Sequence, residues 1–443
     1  MRPEIETTID WAKKLGADES DVILNEGNAL SLSAQQGRIE TYKVTSSRLI
    51  GVRVIRDHRV GISFSEDLST DSLRSMVESA IRFTDAVEPD ENQSITLGGA
   101  AVIDNNTKTY REDSTPLDEK IKLTLRLEDE IKRRDLRTQA VPYNGYSEGE
   151  SHSFYGNHLG LRVYEREKSF NCYTSALLKD GDKQALFYRS NSARTFGELS
   201  PETAIRETLQ FTGTLLEARP VPTGKYDVIF EPDCFQGLFS CFTGLFSGKA
   251  VKDGYSRFGN SLGEIIAHPE LTLRDLPRYS DGFYHILTDA EGAPKTDLTL
   301  IEHGRLVSLY HNSATARHFG VKSTGHASRS PKGQLGTGLT QLVIDPGTTP
   351  SDRLTAGTVL RIFALDGLHA GVNASSGAFS LAASGELLRD GKAIQGVKGI
   401  TLSGNFFDLI RNVSGVGQTL LPTTGRGFFA PEIRFTGLQV AGQ

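Results

Sequence analysis

The chain has 443 residues, enough for two or three domains that can bury a large core. It carries 49 Lys and Arg against 55 Asp and Glu, a formal charge of −6, so charge gives no case for general nucleic-acid binding. No apolar run approaches the roughly 18 residues that span a membrane. The charged N-terminal segment lacks the apolar part of a signal peptide, and the three cysteines have no metal-like spacing. We therefore expect a cytoplasmic protein with reduced, buried thiols.

The first half of the chain shows helical and alternating patterns in turn. Residues 3–15 and 71–83 have helical spacing, and residues 21–64 between them alternate in short runs that turn signals separate. This order predicts an antiparallel meander flanked by helices. Residues 117–134 and 201–216 predict two more helices, with further strands between them.

The second half is rich in glycine and in alternating strands. A Pro- and Gly-containing linker at residues 220–224 predicts a domain boundary, with an N-terminal domain over 1–219 and a C-terminal domain over 220–443. Asp390 and Gly391 predict a type I′ hairpin turn. The expected fold class is α+β: an N-terminal α/β domain with an antiparallel sheet and helices, followed by a β-rich domain.

The stretch from Tyr226 to His268 combines a predicted strand, a turn and a glycine-containing helix. Residues 226–230 predict a buried strand, Pro232 breaks it, and the apolar residues over 235–246 have helical spacing. This helix contains glycines that each cost about 1 kcal/mol relative to Ala, so we expect another group to approach closely. The glycines are Gly237, Gly244 and Gly248. The polar residues after Gly248 predict a helix end and an exposed loop.

The ten histidines do not form a hydrolytic zinc motif, which needs closely spaced imidazoles and a carboxylate base. None is followed by Glu, so H-E-x-x-H and H-E-x-x-x-H are both absent. His311 and His318 are seven residues apart, two helical turns, too far for one metal ion. His326 and His369 lie in glycine-flanked loops, which can line a cleft. The sequence also lacks the G-x-S-x-G and phosphate-loop motifs.

Five segments together resemble the TldD/PmbA family, in the same order and nearly from end to end. They are the N-terminal GRIETYKVTSSRLIGVRVIRDHRVGISFSEDLSTDSLRSMVESA, the central VPTGKYDVIFEPD, the loop VKSTGHASR, and the C-terminal GAFSLAASGELLRDGKAIQGVKGITLSGN and APEIRFTGLQVAG. The resemblance implies an N-terminal α/β domain, a β-rich C-terminal domain and a cytosolic dimer. It also implies zinc-dependent proteolysis of unfolded peptides, with links to peptide maturation and an old description as a modulator of DNA gyrase.

The family has two branches, and the resemblance implies which one this is. The TldD branch carries H-E-x-x-x-H on the helix after the central strand, with a later cysteine as third ligand. Here Ser240, Cys241 and Leu245 stand at those positions, and no cysteine follows Cys241. The chain therefore resembles the metal-free PmbA (TldE) branch. We expect no catalytic residue, no metal site and no cofactor in this chain, and zinc in a TldD-like partner.

The predicted function is a non-catalytic subunit that dimerises with a metal-bearing TldD-like homologue and helps hold an unfolded peptide. The candidate cleft residues are His326, His369 and Asn373. One alternative is a metallopeptidase with an atypical site built from His311, His318, His326 or His369. Another is a non-enzymatic regulator that binds DNA gyrase. A homodimer of the isolated chain also remains open, and no partner that is a nucleic acid or a membrane is expected.

Overall fold

Long alternating segments of the first half form one large sheet. The computed structural model describes residues 2–99, 102–103 and 108–443. The strands of this sheet follow the order β3-β2-β1-β6-β7-β4, and β5 and β8 also pair with β7. They are β1 (Glu19–Gln35), β2 (Arg38–Arg56), β3 (Arg59–Ser65), β4 (Val102–Ile103), β5 (Thr138–Ala140), β6 (Asn144–Asn157), β7 (Arg162–Asp180) and β8 (Lys183–Ala193). All the pairings are antiparallel except β4 with β7.

Four helices cover one face of this sheet because alternate strand residues are apolar on that side. They are α1 (Pro3–Lys14), α2 (Thr70–Thr84), α3 (Leu117–Arg134) and α4 (Pro201–Leu216). The first two helices pack on Val22 and Leu24 of β1, and the last two pack farther along the same strand on Leu30 and Leu32. Since side chains of a strand point alternately to opposite faces, Asp21 and Ile23 are left on the other face.

The second half contains two further large sheets. In the first, β9 lies between β16 and β22, and an additional pairing joins β18 to β22. Its strands are β9 (Gly224–Phe230), β16 (Thr358–Asp366), β17 (Ala378–Arg389), β18 (Lys392–Asn405), β19 (Val413–Val416) and β22 (Ile433–Ala441). The second sheet consists of β10 (Leu273–Asp275), β11 (Leu298–Glu302), β12 (Arg305–Leu306), β15 (Leu342–Ile344), β20 (Leu421–Pro422) and β21 (Phe428–Ala430).

Short elements connect these sheets around one continuous apolar core. Strands β13 (Ala327–Ser328) and β14 (Gly336–Thr337) pair with each other. The helices of this half are α5 (Pro232–Ser240), α6 (Gly248–Lys252), α7 (Ser313–Phe319), α8 (Ser351–Leu354), α9 (Leu368–Gly371) and α10 (Phe406–Leu409).

The structure confirms the predicted fold class. Helices make up 24% and strands 40% of the structure, with a sheet-and-helix region followed by a sheet-rich region. The predicted hairpin at Asp390 and Gly391 is also correct, since both residues have positive φ between β17 and β18. The division at residue 219 remains a prediction. No helix among the described residues has the length and apolar character needed to cross a membrane.

One predicted helix is wrong in its extent. The helix expected over 235–246 ends at Ser240, and a separate 3-10 turn covers Thr243–Phe246. The segment after it also differs, because Gly248 begins α6 instead of ending a helix. The Ser247 side chain caps α6 by accepting hydrogen bonds from the backbone N–H groups of Lys249 and Ala250.

Candidate functional site

The segment that follows β9 contains the positions that correspond, by the resemblance, to the H-E-x-x-x-H motif of the TldD branch. Glu231 caps the helix, because its carboxylate accepts hydrogen bonds from Asp233 N at 3.1 Å and Cys234 N at 3.4 Å. Pro232 follows at the first helical position, where its missing N–H costs nothing. Helix α5 then buries one apolar face, formed by Cys234, Phe235, Leu238 and Phe239.

The three residues at the expected ligand positions do not converge. Ser240 is exposed at the end of α5. Cys241 is half-buried, its Sγ lies 3.5 Å from the carbonyl oxygen of Gly237, and burial raises the pKa of its thiol. Leu245 lies on the following 3-10 turn with 3% of its surface exposed, inside the apolar core.

These side chains do not fit a zinc ion. An aliphatic side chain in the core supplies no ligand, and the raised pKa of the thiol disfavours the thiolate that zinc requires. Across the described residues, no group of three or more His, Cys, Asp or Glu side chains is placed to hold a metal. The absence of metal chemistry remains a prediction, since only ligand loading can test it.

The glycines of this segment differ in how closely they are approached. A Cβ on Gly248 would lie 2.2 Å from Nδ1 of His311, and one on Gly237 would lie 3.3 Å from Leu368 Cδ1. Nothing lies within 4 Å of such an atom on Gly244. The predicted close contact is therefore severe at Gly248, mild at Gly237 and absent at Gly244.

His311 and His326 lie close together in the interior. The backbone N–H of His326 donates to the backbone carbonyl oxygen of His311 at 3.2 Å. Nδ1 of the His311 ring lies 3.2 Å from the hydroxyl oxygen of Thr315. Burial, and then the charge of His326, lower the pKa of His311. His311 is 6% exposed and His326 is fully buried, so neither ring faces solvent. The glycine-flanked loop had instead suggested that His326 lines a cleft.

His326 itself is fully buried and held at both nitrogens. Nε2 lies 2.9 Å from Oδ2 of Asp275 and Nδ1 lies 2.7 Å from the carbonyl oxygen of Thr324. The ring is therefore fixed in orientation by one contact on each side. Asp275 also accepts hydrogen bonds from the N–H groups of Thr340 and Gln341. This arrangement indicates a positioning role for His326 and leaves it no free edge for a peptide.

The other predicted site residues are exposed and lie elsewhere. His318 is at the end of α7, where its ring packs edge-on against Phe319 at 4.7 Å between centroids. His369 lies on the exposed α9. Asn373 follows α9 and accepts a hydrogen bond from Ser376 N at 3.0 Å, which makes it part of a turn. Their assignment to a peptide cleft remains a prediction.

Comparison with known proteins decides the family. The chain matches the PmbA/TldA metallopeptidases in three parts: domain 1 over residues 20–82, the central domain over 110–216 and the C-terminal domain over 223–442.

The chain belongs to the PmbA/TldD family.

Family relatives cover the chain almost completely. It is 24% identical to the metalloprotease PmbA of Escherichia coli O157:H7, over 100% of this chain and 97% of the relative. It is 25% identical to a metalloprotease of Methanothermobacter thermautotrophicus, over 94% of this chain and 89% of the relative. The relatives thus support membership of a family whose proteins bear the name metalloprotease.

Two solved structures have the same fold as this PmbA/TldD chain. A Thermotoga maritima protein described as a candidate modulator of a DNA gyrase superposes with a TM-score of 0.87 at 25% identity, over 99% of both chains. TldE of Thermococcus kodakarensis gives a TM-score of 0.85 at 21% identity, over 99% of this chain and 100% of that one.

A group of buried charges that was not predicted from the sequence lies where the two regions of this PmbA/TldD protein meet. Asp21 on β1 accepts from Arg53 Nε at 2.9 Å, and Arg329 Nη2 lies 2.7 Å from the other carboxylate oxygen of Asp21. All three side chains are 1% exposed. A sequence signal existed, because Asp21 directly precedes the apolar run VIL and Arg53 interrupts the apolar run GVRVI.

Proposed function

We propose that this chain is a metal-free subunit of a PmbA/TldD-type metallopeptidase, and that it helps to hold an unfolded peptide for a metal-bearing partner. One observation carries the proposal: Ser240, Cys241 and Leu245 occupy the metal-motif positions, one exposed, one half-buried and one in the core. Zinc needs several nitrogen, sulfur or oxygen ligands around one point. A partner with its own H-E-x-x-x-H would supply them.

An open strand edge supports the peptide-holding role. Strand β3 pairs only with residues 50–56 of β2, so among the described residues the outer edge of β2 has no neighbouring strand over residues 38–49. Residues 41–48 of this edge are exposed. An extended peptide can add to such an edge through backbone hydrogen bonds, without a requirement for particular side chains.

A broad groove beside this edge gives the peptide room. Its volume is about 1400 Å³, and Ser46, Arg48, His152, Phe154 and Lys332 are among the residues that line it. The mixture of polar, cationic and aromatic groups suits a peptide backbone with varied side chains. We propose that the complex is a dimer joined through the β-rich region. Its role would be to process or degrade unfolded peptides in the cytoplasm.

The experiment tests association and metal together. The chain is purified alone and with an H-E-x-x-x-H-bearing homologue from the same genome, and zinc content and hydrolysis of an unfolded peptide are measured. We expect no stoichiometric zinc and no hydrolysis from this chain alone, and a stable, active complex with the homologue. Stoichiometric zinc that supports hydrolysis by the isolated chain would contradict the proposal.

Variants in both subunits give the matched controls. Replacing the first histidine of the partner's motif with Ala should abolish hydrolysis by the complex. In this chain, Ser240→Ala and Cys241→Ala should leave hydrolysis by the complex unchanged, because we assign neither residue a catalytic role. A loss of activity in either variant would show that this chain contributes chemistry.

The description of the Thermotoga maritima relative favours a second candidate, regulation of a DNA gyrase. This function predicts direct association with gyrase, and the formal charge of −6 gives no support to contact with DNA itself. A pull-down from the organism's own lysate tests it. Recovery of a TldD-like protein without gyrase would count against this candidate.

A further inference from the structure

A polar cavity of about 420 Å³ lies between the first sheet and the C-terminal region. Ile23, Tyr155 and Val163 of the sheet form an apolar side, and these residues also pack on one another. Lys295 and Arg329 of the C-terminal region also line the cavity. The lining also includes the carboxylates of Glu165 and Asp289, so the cavity combines a hydrophobic surface with charges of both signs. The proposed metal-partner function uses neither Lys295 nor Arg329.

Lys295 is a buried lysine without an ion pair. Only 6% of its surface is exposed, and its Nζ donates to the hydroxyl of Thr340. Among the described residues, no carboxylate oxygen lies within salt-bridge distance of Nζ. Burial lowers the pKa of Lys295, because an ammonium loses hydration there. A carboxylate placed beside Nζ would compensate for that loss.

The second cation also has unused hydrogen-bonding capacity. Arg329 is ion-paired with Asp21 through Nη2, but its Nε and Nη1 are buried and have no hydrogen-bond partner in the described chain. Buried donors of this kind normally have an acceptor, and leaving one unpaired costs about 1–3 kcal/mol. Two neighbouring cations with spare donors thus favour an acceptor that carries negative charge.

The nearby carboxylates already have partners. Asp275 accepts from the N–H groups of Thr340 and Gln341 and from His326. Asp289 accepts from the backbone N–H groups of Glu291, Ala293 and Ala327. Glu165 accepts from the hydroxyl of Thr288 at 3.2 Å. The charges of these three carboxylates act on Lys295, but among the described residues none of them forms an ion pair with Lys295 or Arg329.

We propose that this cavity is a binding site for the carboxylate of a ligand, with Lys295 as the main contact and Arg329 as a second donor. The apolar side next to it suits a hydrophobic group on the carbon that bears the carboxylate. The C-terminal residue of a peptide has this chemistry, and only this choice of a peptide rests on the proposed function. The site would then select peptides by a free C-terminus, which a strand edge alone cannot do.

The test compares two labelled peptides on the purified full-length chain without any partner subunit. One is a fluorescein-labelled hexapeptide of Ala and Leu that ends in Phe with a free carboxylate, and the other is the same peptide with a C-terminal amide. Fluorescence polarisation measures both dissociation constants. We expect the free acid to bind at least about tenfold more tightly, as for one charge-assisted contact.

Two variants assign the difference to the cavity. Lys295→Met keeps the volume of the side chain and removes its charge, so the free acid should fall to the affinity of the amide. Lys322→Met, at an exposed position outside the cavity lining, should keep the full preference. Circular dichroism and thermal unfolding check that the variants are folded. If Lys295→Met is unstable, Lys295→Gln replaces it and is expected to give the same loss of preference.

The outcomes separate this site from the proposed function. Equal affinity for acid and amide, no binding of either peptide, or a preference that survives in Lys295→Met would overturn the carboxylate site. Competition by N-acetyl-phenylalanine at the affinity of the peptide would support the site and identify a small carboxylate as sufficient. Because the partner subunit is not needed, failure to form the metallopeptidase complex would leave a measured acid preference intact.

Discussion

At the scale of single residues, Gly248 shows how a missing side chain shapes the interior. It begins α6 directly beside the imidazole of His311, which is itself held by Thr315 and close to His326. The glycine lets the ring occupy space that any Cβ would take. Its requirement is therefore steric, since its backbone does not adopt a positive φ.

Gly248→Ala should destabilise the protein, because the added Cβ would lie 2.2 Å from His311 Nδ1 and the buried ring must move. We expect a loss of about 1–3 kcal/mol, typical of overpacking in a rigid interior. The thermal unfolding midpoint measures it. The matched control is Gly244→Ala in the same segment, where the new atom meets nothing within 4 Å. Equal midpoints for the two variants would show that the His311 contact does not restrict Gly248.

His311 also predicts a dependence of stability on pH. Burial, followed by the charge of His326, lowers its pKa below the ordinary value of 6.5. At acidic pH the unfolded chain therefore binds a proton at His311 more readily than the folded chain does. The stability that depends on a neutral His311 is complete above about pH 6.5, and it is lost as the pH falls through the lower pKa of the folded state. Thermal midpoints between pH 7.5 and 5.0 should fall less steeply for His311→Gln than for the wild type.

A substitution at a surface histidine separates this effect from the general loss of an imidazole. His318→Gln, on the exposed end of α7, provides that comparison. If the wild type and His311→Gln show the same acid slope, the titration of His311 does not contribute to stability.

At the scale of elements, the end of α5 bears on the predicted absence of a metal site. Restoring the motif letters by Ser240→His, Cys241→Glu and Leu245→His should still not give stoichiometric zinc. The helix ends at Ser240, residue 245 lies on a separate 3-10 turn in the core, and no later cysteine exists to act as third ligand. Metal analysis of the purified triple variant checks this.

The single variant Ser240→His is the control for tolerance, because position 240 is exposed and should accept an imidazole without loss of fold. One zinc per chain in the triple variant would mean that the local backbone can still form the site. The predicted absence of a metal centre would then depend on the three side chains alone.

The same element shows which parts of the structure the sequence could predict. The bounds predicted for helices 117–134 and 201–216 match those of the structure, because long amphipathic periods identify both helices and Pro201 marks the start of the second. The helix over 235–246 was overextended, since the apolar spacing continues while the backbone tightens into a 3-10 turn. Periodicity reports which residues are buried and does not report such a change of geometry.

The candidate site was less predictable because its contacts join residues that are distant in sequence. Lys295 and Arg329 line one cavity with the sheet residues Ile23 and Tyr155, from which they are far apart in sequence. Glycine neighbours indicated a loop for His326, but the long-range contact with Asp275 buries it. Local patterns in one sequence do not show which distant residues come into contact.

At the scale of the whole molecule, charges join the two regions. Arg329 of the C-terminal region reaches Asp21 on β1, Lys252 pairs with Asp90 at 2.8 Å, and Arg317 donates to the backbone oxygen of Asn92 at 2.7 Å. The first of these contacts is buried, whereas the Lys252 pair is partly exposed. Buried pairs are screened little by salt, so docking of the regions should persist at high ionic strength.

Asp21→Asn tests this connection. The change keeps the shape of the side chain and leaves Arg53 and Arg329 buried together without their shared carboxylate. Glu291, whose Oε1 lies 3.6 Å from Arg53 Nη2, compensates only in part. Breaking a buried pair on one side costs about 3–5 kcal/mol. For a chain of this length we expect the calorimetric midpoint to fall by roughly 4 °C.

Asp10→Asn, exposed on α1, is the matched control and should change stability by less than about 0.5 kcal/mol. The loss of thermal stability in Asp21→Asn should persist in about 0.5 M salt, because the carboxylate and the guanidinium groups that it contacts are all buried. An unchanged midpoint for Asp21→Asn would show that the docking of the two regions depends on their apolar contacts. A deficit that disappears in salt would place Asp21 in contact with solvent.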